Sequence, residues 1–253
     1  MSGRRWLLAW VLMLPACLEW DALRGPMRPG GDAGGGGTGG GNDAGLDEPV
    51  PIVRWSFSRA GTVARVEDGA PRAPEVPLGP DPENPGGATA AGGWLRLNGN
   101  EFSATAPAGQ ALANALNQSP AGMSLEVWVE PGDAAGMDSF VAVLGLALRQ
   151  TDGGFVAEFT SEGIVRDLGP EPGGPAPVHL VVTITSQGSA TFYVGGRAVA
   201  IQPITEDRTA PEFLEVAGVH LGSEDWSGGI GPISIFDTAL DQRVVQARAL
   251  RGP

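Results

Sequence analysis

The chain has 253 residues, 29 acids against 16 bases and a formal charge of −13. A body this acidic is repelled by nucleic acid and by anionic lipid surfaces, which removes both from the candidate partners. With one cysteine, Cys17, no disulfide can form within the chain, so stability must come from a packed core.

Residues 1–16 carry Arg4 and Arg5, an uncharged apolar run from Trp6 to Leu14, and small Ala16 directly before Cys17. The run is shorter than the ~20 residues that a membrane-crossing helix needs, and the order of features is that of an export signal. Removing this segment takes both arginines with it and moves the charge to −15. Leu14-Pro15-Ala16-Cys17 resembles the lipobox of bacterial lipoproteins. The resemblance implies cleavage before Cys17, lipidation of its sulfur and a membrane anchor. Leu18, where an aspartate would favour retention at the inner membrane, implies an outer-membrane location. Trp20 is expected at the membrane interface beside that anchor.

Residues 17–49 are expected to form a tether. Gly34–Gly41 is all glycine except Thr38, so it has almost no side chain to bury and loses the most backbone entropy on ordering. As a coil, the segment from Cys17 to Val50 spans roughly 30 Å. One domain, 50–253, is expected to follow.

Short apolar runs between Gly/Pro turns mark that domain as all-β. Strands are predicted near Ile52–Phe57, Trp94–Leu97, Met123–Val129, Phe140–Leu148, Phe155–Phe159, Val178–Thr185, Thr191–Val194, Ala198–Ile201, Val219–Leu221 and Pro232–Phe236. In Met123–Val129 the residues alternate, with Leu125, Val127 and Val129 on one face and Glu126, Trp128 and Glu130 on the other. Gly195-Gly196 is a hairpin turn signal. Residues 68–92 and 168–177 are rich in Pro and Gly and are predicted as loops. A closing helix is expected with Thr238 as its cap and Leu240, Val244, Ala247 and Leu250 on its apolar face.

The ordered set Trp55-Ser56-Phe57, Trp94–Gly99, Met123–Pro131, Val178–Thr183, Thr191–Gly196, His220-Leu221-Gly222, Trp226–Ile230 and Ile235–Leu240 resembles the LamG-like, concanavalin A-like jelly-roll domains of exported bacterial proteins. It covers about residues 50–252. The resemblance implies a two-sheet antiparallel β-sandwich with a short C-terminal helix. That fold hosts lectins, glycosidases and adhesive modules alike, so it leaves function open. Two departures stand out: Pro177-Val178 precedes His179 where many relatives have a tryptophan, and Gly231-Pro232 stands where relatives have acids.

Catalytic chemistry finds little support. A retaining glycosidase needs two carboxyls about 5–5.5 Å apart. The only candidate pair, Glu126 and Glu130, lies on one strand with Cα atoms ~13 Å apart, and Trp128 holds the central position. Both glutamates are expected to be solvated. His179 and His220 fall in strands and are expected to pack. No Cys/His cluster suits zinc or iron, and the glycines at 34–41 lack the strand-loop-helix setting of a phosphate loop. Calcium is the one metal worth testing, with Asp133, Asp138, Glu224 and Asp225 as loop donors. For sugar binding, Trp226 with Glu224 and Asp225 is the candidate site, although the resemblance implies that Trp226 packs in the core before Gly228, which is the favoured reading; Trp55, Trp94, Trp128 and Tyr193 are expected in the core.

The role expected is non-catalytic binding of a carbohydrate or an envelope or extracellular protein. A degenerate glycoside hydrolase and a purely structural envelope lipoprotein are the alternatives.

Overall fold

The computed structural model describes residues 48–70, 74–82, 88–132, 136–159, 163–170, 177–204 and 218–253. The expected signal segment 1–16, the expected lipidation site Cys17, Trp20, almost all of the expected tether and the calcium candidate Asp133 lie outside them.

The β-prone runs pair as antiparallel strands: β1 (Val53–Trp55), β2 (Gly61–Val63), β3 (Leu78–Pro80), β4 (Ala88–Ala91), β5 (Trp94–Asn98), β6 (Phe102–Ala104), β7 (Met123–Glu130), β8 (Asp138–Val143), β9 (Leu146–Thr151), β10 (Gly154–Phe159), β11 (Ile164–Pro170), β12 (Val178–Ile184), β13 (Ser189–Val194), β14 (Arg197–Pro203), β15 (Val219–Leu221) and β16 (Ser227–Phe236). One sheet has nine strands in the order β14-β13-β12-β7-β16-β5-β4-β2, with β1 also paired to β16; the other has seven, β11-β10-β9-β8-β15-β6-β3. The protein is a two-sheet antiparallel β-sandwich. Its core lies between the sheets and includes Trp55, Leu125, Val127, Phe140, Phe159 and Phe192.

Several details differ from the sequence reading. The run Phe140–Leu148 is two strands, broken by Leu144-Gly145 with both residues at positive φ, 50° and 84°. That geometry suits a tight hairpin turn. Among the described residues Leu144 is alone as a non-glycine in this region, which is why an apolar run conceals the break. The stretches read as loops contribute β3, β4 and the last three residues of β11. A helix that the sequence reading lacks, α1 (Ala106–Asn117), starts with proline in its first turn and buries Leu112, Ala113 and Leu116.

The second helix, α2 (Gln242–Arg251), is capped by Asp241, whose carboxylate accepts from the N–H groups of Arg243 and Val244, and not by Thr238. Its buried stripe is Val244 and Val245, while Leu250 is 90% exposed. These valines pack with Leu240 on Val181, Tyr193 and Phe236, on the outer face of the nine-stranded sheet. Helix α2 therefore covers part of the outer face of the nine-stranded sheet.

At the centre of the covered sheet lies β16, paired along its length with β7. Its other side meets β5 through Ser227–Ile230 and β1 through Ile233–Ile235. The change of partner falls at Gly231-Pro232, where the β7–β16 register shifts. Proline has no N–H to give a ladder, and a bulge tolerates it. A side chain at Gly231 would meet Trp128 Cβ and the Trp94 ring at 2.8 Å, so only glycine fits between the two indoles.

Candidate functional site

The outward side chains of β7 build the site. Glu126 projects from the outer face, yet α2 crosses above it and it is only 4% exposed. A buried carboxylate must be paired, and two side chains provide this. His179, on the neighbouring β12, places Nε2 at 2.8 Å from Glu126 Oε1. Arg248, from the last turn of α2, donates through Nε at 2.9 and 3.0 Å and through Nη2 at 2.6 Å. This fork-on-carboxylate geometry is the strong form of the ion pair. Burial pushes the Glu126 carboxyl up, but the hydrogen bonds from His179 and Arg248, with their charge, outweigh it and hold the pKa at about 2.

The network continues outward. Arg248 Nη1 donates to Glu48, and Arg251 Nη1 donates to the other Glu48 oxygen at 2.7 Å. Arg248 also lies over the buried Phe236 ring, 4.9 Å from its centroid. His179, Glu126, Arg248, Glu48 and Arg251 thus form one continuous chain from the sheet to the surface. Beside it Trp128 stacks its ring 4.6 Å from that of His179 and remains partly exposed.

These groups surround a cavity of about 300 Å³ lined by Arg54, Trp128, Pro232, Ser234, Arg248 and Arg251, with Glu48 and the segment after it on one side. The elements that meet here are β1, β7, β16, α2 and the stretch 48–51. Neither glutamate of the proposed hydrolytic pair is a solvated acid: Glu126 is locked as described, and Glu130 is ion-paired to Arg96. A glycosidase acid requires a carboxyl with a raised pKa, and Glu126 is displaced in the opposite direction.

The candidate residues chosen from sequence fall elsewhere. Trp226 has no exposed surface; its indole N–H donates to Gln150 Oε1 at 2.8 Å and its ring lies 5.7 Å from Phe140. A fully buried indole is not a stacking platform, so Trp226 is a core residue. Glu224 and Asp225 are exposed in the turn before it, and Asp138 begins β8. Among the described residues no three His, Cys, Asp or Glu side chains converge to hold a metal ion. Trp55, Trp94 and Tyr193 are buried as expected. Trp128 is not a core residue, because it faces the cavity. His220 is not packed inside either: its side chain is 44% exposed and its Nδ1 sits 2.6 Å from Glu101.

No family model matches the chain, and no curated protein matches it in sequence. Solved structures do match in fold. One is a Trypanosoma rangeli sialidase in complex with sialic acid, with a TM-score of 0.58 and 13% identity over 78% of this chain and 32% of that one. Another is the binding domain of botulinum neurotoxin serotype D, with a TM-score of 0.60 and 10% identity over 80% and 52%. The receptor binding domain of the mosaic serotype C/D neurotoxin has a TM-score of 0.58 and 11% identity over 80% and 51%. The chain thus spans a third to a half of these proteins' length, and the likeness is one of fold.

Proposed function

We propose that this protein is a non-catalytic binding module for carbohydrate, built on a LamG-like sandwich and held at the bacterial outer membrane through a lipid on Cys17. The observation that carries the binding reading is the partly exposed Trp128 in a cavity ringed by Arg54, Arg248, Arg251 and Ser234. A flat aromatic face with a few fixed hydrogen-bond donors is the chemistry that holds a sugar ring. The matches to a sialidase bound to sialic acid and to toxin binding domains agree with it. Hydrolysis by the Glu126–Glu130 pair is disfavoured because the partners of Glu126 keep it ionised and Arg96 holds Glu130.

Thermal unfolding of the full chain against a polysaccharide panel, with calcium and then with chelator, tests the reading. A ligand at 100 times its Kd raises stability by about 2.7 kcal/mol, and Trp128→Ala is expected to remove the shift. Stabilisation that persists in that variant overturns this location of the site. A protein partner is the second reading, favoured by Val199 and Ile201, which are 46% and 72% exposed on the edge strand β14. A panel without any shift favours it. Cys17→Ser is expected to release the protein from the membrane fraction; retention there overturns the lipid anchor.

A further inference from the structure

We propose that the Arg248–Arg251 end of this cavity is a carboxylate site which Glu48 fills from within the chain, and that a uronic-acid residue of a short oligosaccharide displaces Glu48 and lies against Trp128. The inference rests on the binding-module reading and names its ligand class.

Arg248 has two carboxylate partners of different kinds. Its Nε and Nη2 point inward to Glu126, whose side chain is 5% exposed and which has His179 as a second anchor. Its Nη1 points outward to Glu48, whose side chain is 30% exposed, and the other oxygen of Glu48 meets Arg251, itself 62% exposed. The inner pair fixes the guanidinium in place. The outer pair is the more accessible one, with Glu48 and Arg251 in reach of water, which screens and weakens an ion pair. An external carboxylate can therefore replace Glu48 at little cost, while Arg248 stays aimed by Glu126. Glu48 shows the oxygen positions such a ligand would take, one on each arginine.

The neighbouring groups select the rest of the ligand. Trp128 offers an aromatic face, and Arg54 and Ser234 offer polar contacts in the same cavity. Its volume, about 300 Å³, is at the small end for ligand sites, which suits one or two rings and not a folded partner. The chain's −13 charge repels polyanions at long range. The site thus favours an isolated carboxylate on a sugar over a densely charged polymer.

Titration calorimetry on the full chain, with trigalacturonic acid, its methyl ester, maltotriose and triglutamate as probes, tests this. Glu48→Gln removes the internal competitor and is expected to tighten trigalacturonic acid about two- to fivefold while leaving the ester unchanged. Arg251→Gln is expected to weaken the acid at least tenfold. Unfolding midpoints of both variants within a few degrees of the parent show that the fold is kept. Equal binding of acid and ester, or no gain in Glu48→Gln, overturns the carboxylate site. If maltotriose still binds and Trp128→Ala abolishes it, the binding-module reading survives that failure. Triglutamate binding as tightly as the uronate overturns the sugar as ligand. Absence of binding by all four probes overturns the inference and the sugar-binding reading together.

Discussion

Each sheet of the sandwich carries one histidine–glutamate pair on its outer face, and the two pairs behave differently. His179 and Glu126 on the nine-stranded sheet are 1% and 5% exposed in their side chains, beneath α2, with Arg248 as a third member. His220 and Glu101, at the seven-stranded sheet, are 44% and 24% exposed. The contact distances are nearly the same, 2.8 and 2.6 Å. What differs is access to water. In the exposed pair, solvent replaces either partner if it is lost; in the buried one, nothing does. The same two residue types thus give a surface contact on one face and a fixed scaffold for a cavity on the other.

The largest effect expected from this contrast is that of Glu126→Ala. It strands Arg248 and His179 without their shared anion, and should lower unfolding free energy by about 3–5 kcal/mol in urea titration. A loss below about 1 kcal/mol would make the two pairs equivalent and break the comparison. Next comes pH. The folded pKa of Glu126, about 2, lies below its ordinary value of 4.5. Its contribution is therefore complete above pH 4.5 and is lost as pH falls toward 2. This amounts to about 3 kcal/mol. The stability difference between the parent chain and Glu126→Gln should narrow over that window; a constant difference contradicts the buried ion pair. Arg248→Met keeps the packing on Phe236 but removes the charged hydrogen bonds, for an expected cost of about 2 kcal/mol. An unchanged midpoint would leave His179 as the sole support of Glu126. His220→Ala should cost under about 1 kcal/mol, and a larger loss would show that the exposed pair has a structural task.

Strand positions were legible because apolar alternation and turn residues are local signals. Val219–Leu221 matches its prediction end to end, and Val178–Ile184 stops one residue early. The Gly195-Gly196 turn has both residues at positive φ, 57° and 79°. Helix α1 was hidden because Ala106-Pro107-Ala108-Gly109 has the composition of a loop. Its one local signal is proline in the first turn after Thr105. The site was the least legible part. The alternation of β7 correctly separated Glu126 and Trp128 from the core face, and alternation alone then read Glu126 as solvated. The groups that reverse this are on other elements: Arg248 is 122 residues away and His179 is 53. Trp226 carries two conflicting signals, and the core role that the resemblance implies is the one observed. Its polar glycine-rich neighbours suggest a surface turn, whereas Gly228 is there because a side chain would strike the buried indole at 2.4 Å.

The contact between Glu48 and Arg248 joins residues 200 positions apart. Contacts of such long range close only after most of the chain has been ordered, because loop entropy must be overcome first. Completion of this cavity is consequently a late step. A folding intermediate with both sheets assembled and α2 still undocked would have most of its strands and no closed Arg248 network, so recovery of the proposed binding during refolding should lag behind recovery of β-structure.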